Sequence, residues 1–94
     1  MRPVLPSDLD CATRALLAYP RVEWPGRAKG LIAAADRADR RRRSLGRIDP
    51  LFGNGTLQAA ALAERPPPLP EICDARYRAA LATVLEALET ARQV

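Results

Sequence analysis

The chain has 94 residues, a formal net charge of +4 and no histidine. Its length allows one domain at most. The absence of histidine excludes the commonest general base near neutral pH and the Ser–His and Cys–His nucleophile pairs. Alanine and arginine are abundant, while valine, isoleucine and aromatic residues are scarce, a composition that favours helix over sheet.

The first predicted helix spans residues 8–19. Ser7, with Asp10 three residues later, resembles a capping box, in which two side chains accept backbone N–H groups at the start of a helix. Pro20 ends the helix, because proline cannot continue its hydrogen-bond ladder. Between these signals, apolar residues recur at helical spacing.

The second predicted helix spans residues 26–45. Pro25 suits its first turn, and Trp24, just before it, is expected to pack back onto the helix. Gly46 predicts a left-handed C-cap. Gly30 weakens the helix by about 1 kcal/mol relative to alanine, and we interpret it as a place where a neighbouring element approaches closely.

The segment 47–55 is rich in turn residues and predicts a loop. Thr56 is the expected cap of a short third helix over residues 57–65. The three prolines that follow this helix end it and predict a stiff polyproline linker. Two apolar side chains are expected to fill the core from the loop: Leu51 and Phe52.

The last predicted helix spans residues 75–92, and Asp74 is its expected cap. Its apolar residues recur on one continuous face: Tyr77, Leu81, Val84, Leu85 and Leu88. The sequence therefore predicts a single all-α domain over residues 1–94. We expect a small bundle of three main helices around an Ala/Leu core, with the short helix packed across it and Pro/Gly-rich connecting loops.

Basic charge is concentrated at the end of the second predicted helix. The stretch from residue 27 to residue 47 contains eight basic and two acidic residues, a local charge of +6. Because consecutive helical residues are about 100° apart around the axis, Arg37, Arg40 and Arg41 are expected to share a face. The candidate anion- or partner-binding residues are Arg37, Arg40, Arg41, Arg42, Arg43 and Arg47.

Two interpretations of these arginines remain open. One is a contact surface for a protein or a phosphate-bearing partner. The other is a solvated helix end, whose positive charge favours the helix dipole. In the second interpretation, Asp36 pairs with Arg40 and Asp39 with Arg43 on the surface, at the stabilising spacing of four residues.

The glycine-rich turn before the third helix is a weaker candidate site. Backbone N–H groups at a helix start can hold a phosphate, which makes Gly53, Gly55 and Thr56 a candidate backbone anion turn. The lysine of a P-loop and a preceding strand are both missing. The alternative is a tight turn that leads into a threonine cap.

Large apolar side chains outside the predicted helices also have two interpretations. They line a small protein-binding groove beside the arginines, or they fill the core, since so small a domain needs each large side chain it has. The residues concerned are Trp24, Ile48, Leu51 and Phe52.

No catalytic residue, metal site or cofactor is expected. Cys11 and Cys73 are far apart, and no histidine completes a zinc site, so we expect small apolar residues with reduced thiols. The start of the chain has no apolar signal-peptide core, and no apolar run approaches the ~18 residues of a membrane span. We therefore expect a non-enzymatic cytoplasmic protein without membrane association.

Four elements carry a resemblance to a known group of proteins: the start MRPVLPSDLDCATRALL, the helix AAADRADRRRR, the loop DPLFGNGTLQAAAL and the ending YRAALATVLEAL. On these elements, which cover most of the chain, it resembles a small uncharacterised family of alphaproteobacterial proteins of the Rhodobacterales type. The loop is the most specific element. Phe52 stands where tryptophan is expected and Ile48 where histidine is expected, and the resemblance implies no activity.

The leading hypothesis is a helical module that binds another macromolecule, with a protein as the expected partner and the arginines as part of the contact. The alternative is non-specific nucleic-acid or phosphate binding through the same arginines. A helix-turn-helix is not expected, because the loop before the third helix is too long and that helix has almost no side chain to read a base edge. The oligomeric state stays open.

Overall fold

The computed structural model describes residues 1–67 and 74–92, which form four α-helices and no β-strand. The all-α class is therefore confirmed. The helices are α1 (Pro6–Leu17), α2 (Trp24–Leu45), α3 (Leu57–Leu62) and α4 (Ala75–Arg92). Two predictions lie wholly or partly outside the described residues: the reduced thiol of Cys73 and the polyproline linker. No helix in the described ranges has the length and apolar character that crossing a membrane requires.

The core lies between α1, α2 and α4, and α3 closes it against α1 and α2. Cys11 is buried there, as expected of a small apolar residue. Large buried side chains are few, and alanines occupy much of the remaining interior. Because alanine side chains are short, the helices approach one another closely where alanines face each other. The largest apolar side chains that are less than 2% exposed are Leu16, Trp24, Leu57 and Val84.

Helix α1 begins at Pro6 rather than at residue 8, since proline suits the first helical position and the preceding Leu5 is extended. The predicted cap of Ser7 with Asp10 is wrong. Instead, the carboxylate of Asp8 accepts the backbone N–H of Leu5 at 2.6 Å. The helix also ends two residues earlier than predicted.

Helix α2 begins at Trp24, two residues earlier than predicted, so this tryptophan belongs to the first turn. Its indole is buried, and its Nε1–H donates to the backbone oxygen of Tyr19 at 3.0 Å. The guanidinium of Arg76 lies 5.0 Å from the ring centroid and donates to the same oxygen at 2.9 Å. These contacts join the end of α1 to the starts of α2 and α4.

Two glycine predictions in α2 have opposite outcomes. The left-handed cap at Gly46 is confirmed, because its φ is 67° and its N–H donates to the backbone oxygen of Arg42 at 2.9 Å. The close approach inferred at Gly30 is wrong. A Cβ added there meets nothing within 4 Å, so this glycine faces open space.

The loop between α2 and α3 turns back on itself at Asp49. Its carboxylate accepts the N–H groups of Leu51 at 2.8 Å and Phe52 at 2.9 Å, and its backbone exchanges two hydrogen bonds of 3.0 Å with Gly53. This turn leaves Leu51 64% exposed, so the prediction that it fills the core is wrong. Phe52 is half-buried and packs against alanines of α2 and α3.

Helix α3 is capped as predicted, since Oγ1 of Thr56 accepts the N–H of Ala59 at 3.1 Å. It ends at Leu62, three residues before the predicted end. The chain then leaves the helix through Arg65, whose φ is 52°. The helix is therefore shorter than its run of helix-forming residues indicates.

Helix α4 spans the predicted residues, and Asp74 caps it by accepting the N–H of Arg76 at 2.7 Å. Its buried face differs from the predicted leucine stripe. Leu85, predicted to be part of the core face, is 47% exposed. The reason is that alanines of α4 allow its closest approach to the other helices, and the buried residues are Tyr77, Ala80, Val84 and Ala87.

Candidate binding site at the end of helix α2

Asp39 divides the arginines at the end of α2 into two groups. Its side chain is 1% exposed, and the carboxylate contacts Arg42 at 3.2 Å, Arg43 at 2.7 Å and the α-amino group of Met1 at 3.3 Å. The predicted pair with Arg43 is present, but the aspartate is buried rather than on the surface. Burial raises the pKa of Asp39, but hydrogen bonds from the α-amino group and Arg42 outweigh it and hold the pKa below its ordinary 3.8.

The predicted pair between Asp36 and Arg40 is wrong. The carboxylate of Asp36 binds the α-amino group of Met1 instead, which leaves Arg40 without that partner. Among residues 1–67 and 74–92, no ion pair involves four of the candidate arginines: Arg37, Arg40, Arg41 and Arg47. Arg42 and Arg43 therefore neutralise the buried carboxylate of Asp39. The charges of the other four arginines are not paired within these residues.

Three of the unpaired arginines lie along one open groove between the last turns of α2 and the loop after it. This arginine groove is lined by Arg37, Arg40, Arg41, Ser44, Leu45, Asp49 and Phe52. The structure thus brings together the three arginines that helical spacing places on one face. Arg47 is exposed beyond the C-cap of α2 and does not line the groove.

One carboxylate, Asp49, stands in the lining of the groove. Hydrogen bonds from the N–H groups of Phe52 and Leu51 hold the pKa of Asp49 below its ordinary 3.8, although burial opposes them. The positive charges of Arg41 and Arg37 lower the pKa further. Asp49 is therefore ionised at neutral pH, and it fixes the loop that forms one wall of the groove.

Exposed apolar side chains occur in the same segment of the chain as this positive charge, and one of them, Leu45, lines the groove. Leu45, Ile48 and Leu51 are 62%, 63% and 64% exposed. Two other residues predicted as candidates for the same apolar groove are less exposed: Trp24 is buried in the core, and Phe52 is half-buried. Neighbouring exposed apolar side chains are typical of interaction surfaces, whereas isolated ones need no explanation.

The candidate backbone anion turn is occupied by the protein's own side chains. The N–H of Gln58 donates to the buried carboxylate of Asp8 at 2.8 Å, and the N–H of Ala59 donates to Thr56. The N–H of Thr56 itself donates to Oδ1 of Asn54 at 3.1 Å. Asp8 thus takes the position at the start of α3 that a phosphate would need.

Gly53 and Gly55 allow close packing of the loop. A Cβ at Gly53 would lie 2.6 Å from the Cβ of Ala59, and one at Gly55 would lie 2.6 Å from the Cα and Cβ of Asp39. Both glycines have positive φ, 79° and 92°, a region that other residues rarely adopt. The turn therefore lies against α2 and α3 because these two positions lack a side chain.

Replacing Asp8 with alanine is expected to destabilise the domain by roughly 2 kcal/mol, because the N–H groups of Leu5 and Gln58 lose their buried acceptor. Urea unfolding followed by circular dichroism measures this loss. Ser7→Ala is the control, since Ser7 is exposed and makes no side-chain hydrogen bond within the described residues. Its effect should stay within about 0.5 kcal/mol, and equal effects of the two changes would contradict the role of Asp8.

A second groove, of about 570 Å³, lies between α1, α2 and α4. Its lining is mostly apolar and includes Leu85, while Asp36, Glu89 and Arg92 add charges of both signs. Because Asp36 is already paired with the α-amino group of Met1, the other charged groups of its described lining are one carboxylate, Glu89, and one guanidinium, Arg92.

The fold and the site define a small all-α domain with an arginine groove at the end of its longest described helix. The chain belongs to a family described as a domain of unknown function (DUF7742), whose model matches residues 2–88. That range contains the whole arginine groove, and the match agrees with the resemblance to an uncharacterised small-domain family. No curated protein and no solved structure matches the chain.

Proposed function

We propose that this protein is a non-enzymatic cytoplasmic interaction module that binds a protein partner through the arginine groove. One observation carries the proposal: within the described residues, three arginines without an ion pair line one groove with the exposed Leu45, and the loop after the helix exposes two more large apolar side chains. The groove offers positive charge from Arg37, Arg40 and Arg41 and apolar surface from Leu45.

Both kinds of group suit a protein interface. Arginine is enriched at the centre of such interfaces, and buried apolar surface contributes about 25 cal/mol per Å². Leu45, Ile48 and Leu51 are each mostly exposed and available for a partner to cover. We expect the apolar side chains and the arginines to act together, since the first bury apolar surface and the second select a partner of opposite charge.

Nucleic acid is the second candidate partner, since unpaired arginines attract phosphate. Contact with phosphate would leave Ile48 and Leu51 in water, whereas a protein would cover them. The ionised carboxylate of Asp49 also repels a phosphate that enters the groove. These two observations favour a protein.

A photo-crosslinking amino acid at position 45 tests the proposal in the cells that produce this protein. Position 22 is the control site, because Val22 is 87% exposed and lies before the start of α2. We expect a crosslinked species at position 45 whose added mass is that of a second protein and is unchanged by nuclease, and none at position 22. A nuclease-sensitive species at position 45 would favour nucleic acid, and equal yields at both positions would contradict a specific groove.

Replacing Arg37, Arg40 and Arg41 with glutamine is expected to abolish that crosslink, because the groove loses its three guanidinium groups. The matched control carries Arg2→Gln, Arg65→Gln and Arg78→Gln, which remove the same charge from exposed arginines without ion pairs in the described residues. Circular dichroism establishes that both variants fold. Equal loss of the crosslink in both would mean that net charge, not the groove, attracts the partner.

A further inference from the structure

We infer that the arginine groove takes an acidic helical segment of the partner protein, with carboxylates and an apolar side chain spaced four residues apart. The inference rests on the proposed function and specifies the chemistry of its partner. It comes from the order of the groove residues along α2 and from the wall that faces them.

The groove residues of α2 form two rows along the helix axis. Arg37, Arg41 and Leu45 are four residues apart, so their positions are separated by about 6 Å along the axis. Arg40 and Ser44 form the adjacent row at the same spacing. A ligand that lies along the first row meets two guanidinium groups and then an apolar side chain.

A helical ligand repeats this spacing on one of its own faces. Its carboxylates at positions i and i+4 would face Arg37 and Arg41, and an apolar residue at i+8 would contact Leu45. Guanidinium groups bind carboxylates through two parallel hydrogen bonds, which lysine cannot do. The arginines of the groove are therefore matched to planar carboxylates at a defined spacing.

The opposite wall limits what the ligand can be. Asp49 adds a negative charge there, and its carboxylate is held by the N–H groups of Leu51 and Phe52. A nucleic-acid strand, with a charge at every nucleotide, would bring phosphate against this carboxylate. A peptide can instead place an apolar residue there, against Phe52, and keep its acids beside the arginines.

Selection from displayed random peptides of about twelve residues, on the folded domain, tests the inference. Peptides that also bind the variant R37Q/R40Q/R41Q are removed. We expect the remaining peptides to carry Asp or Glu at i and i+4, followed by Leu, Ile, Phe or Trp. In fluorescence polarisation, a recovered peptide should bind at least about tenfold more weakly when its acids become amides.

The same peptide should weaken likewise when its apolar residue becomes serine, and the variant R2Q/R65Q/R78Q should bind it unchanged. Recovery of no peptides, of peptides without acids, or of peptides whose acids are two residues apart, as in an extended chain, would overturn the inference, and a protein crosslink at position 45 would still support the proposed function. A short DNA duplex that binds more tightly than the peptide, with arginine dependence and a steep loss on added salt, would overturn both.

Discussion

Replacing Gly55 with alanine is expected to destabilise the domain by about 3–5 kcal/mol, a large part of the stability of so small a fold. Gly55 has φ of 92°, which residues with a Cβ rarely adopt. The new Cβ would also lie 2.6 Å from both the Cα and the Cβ of Asp39. Because Asp39 is buried in the middle of α2, its backbone cannot shift cheaply, and strain adds to overpacking.

Urea unfolding followed by circular dichroism measures this loss, and Gly30→Ala is the matched control. Gly30 lies on the exposed side of α2, where a Cβ meets nothing within 4 Å. Alanine should therefore stabilise the helix at that position by up to about 1 kcal/mol. If the Gly55 variant unfolded at the wild-type urea concentration, the loop would not lie against α2, and the arginine groove would lose its second wall.

The helix ends that the sequence predicts correctly depend on local signals. Gly46, Thr56 and Asp74 each act on backbone groups within one turn of their own position. The start of α1 has no such unique signal, since Ser7 is also a good capping residue. Asp8 determines where the helix starts. Its carboxylate is buried where α1 meets α3, which is a contact between segments far apart in the sequence.

The buried face of α4 is hard to predict for a different reason. Apolar periodicity assigns the largest side chains to the core, and by that rule Leu85 belongs there. In an alanine-rich bundle the closest contact forms where side chains are short, so Ala80 and Ala87 are buried and Leu85 is half exposed. The sequence identifies the helix and two residues of its buried face, Tyr77 and Val84, but not the rotation that buries Ala80 and Ala87 and exposes Leu85.

The candidate site shows the same division between local and distant contacts. One arginine face follows from helical geometry alone, but the ion pairs do not. Asp36 and Arg40 have the same spacing as Asp39 and Arg43, and only the second pair forms. The pair between Asp36 and Arg40 does not form, because Asp36 binds the α-amino group of Met1, which is far from it in the sequence. Which arginines stay available for a partner is therefore decided by tertiary structure.

Replacing Asp39 with asparagine is expected to lower the Tm by about 10 °C at neutral pH, because three cations lose a buried anionic partner. These cations are Arg42, Arg43 and the α-amino group of Met1. Asp36→Asn is the matched control, since the Asp36 side chain is 46% exposed and contacts one of the same cations. Its Tm should change by at most about 2 °C.

The difference in Tm between wild type and Asp39→Asn is expected to vanish in acid. Folding lowers the pKa of Asp39 from its ordinary 3.8, so this carboxyl stabilises the fold at any pH above 3.8. The contribution is lost as the pH falls through the lower pKa of the folded state. Asp49 titrates in wild type and variant alike, so its contribution cancels from the difference in Tm. Thermal unfolding between about pH 7 and pH 2 should therefore show the two Tm values converging below about pH 4. A constant difference would mean that packing rather than charge carries the effect, and Arg42 and Arg43 would then be as available to a partner as the arginines of the groove.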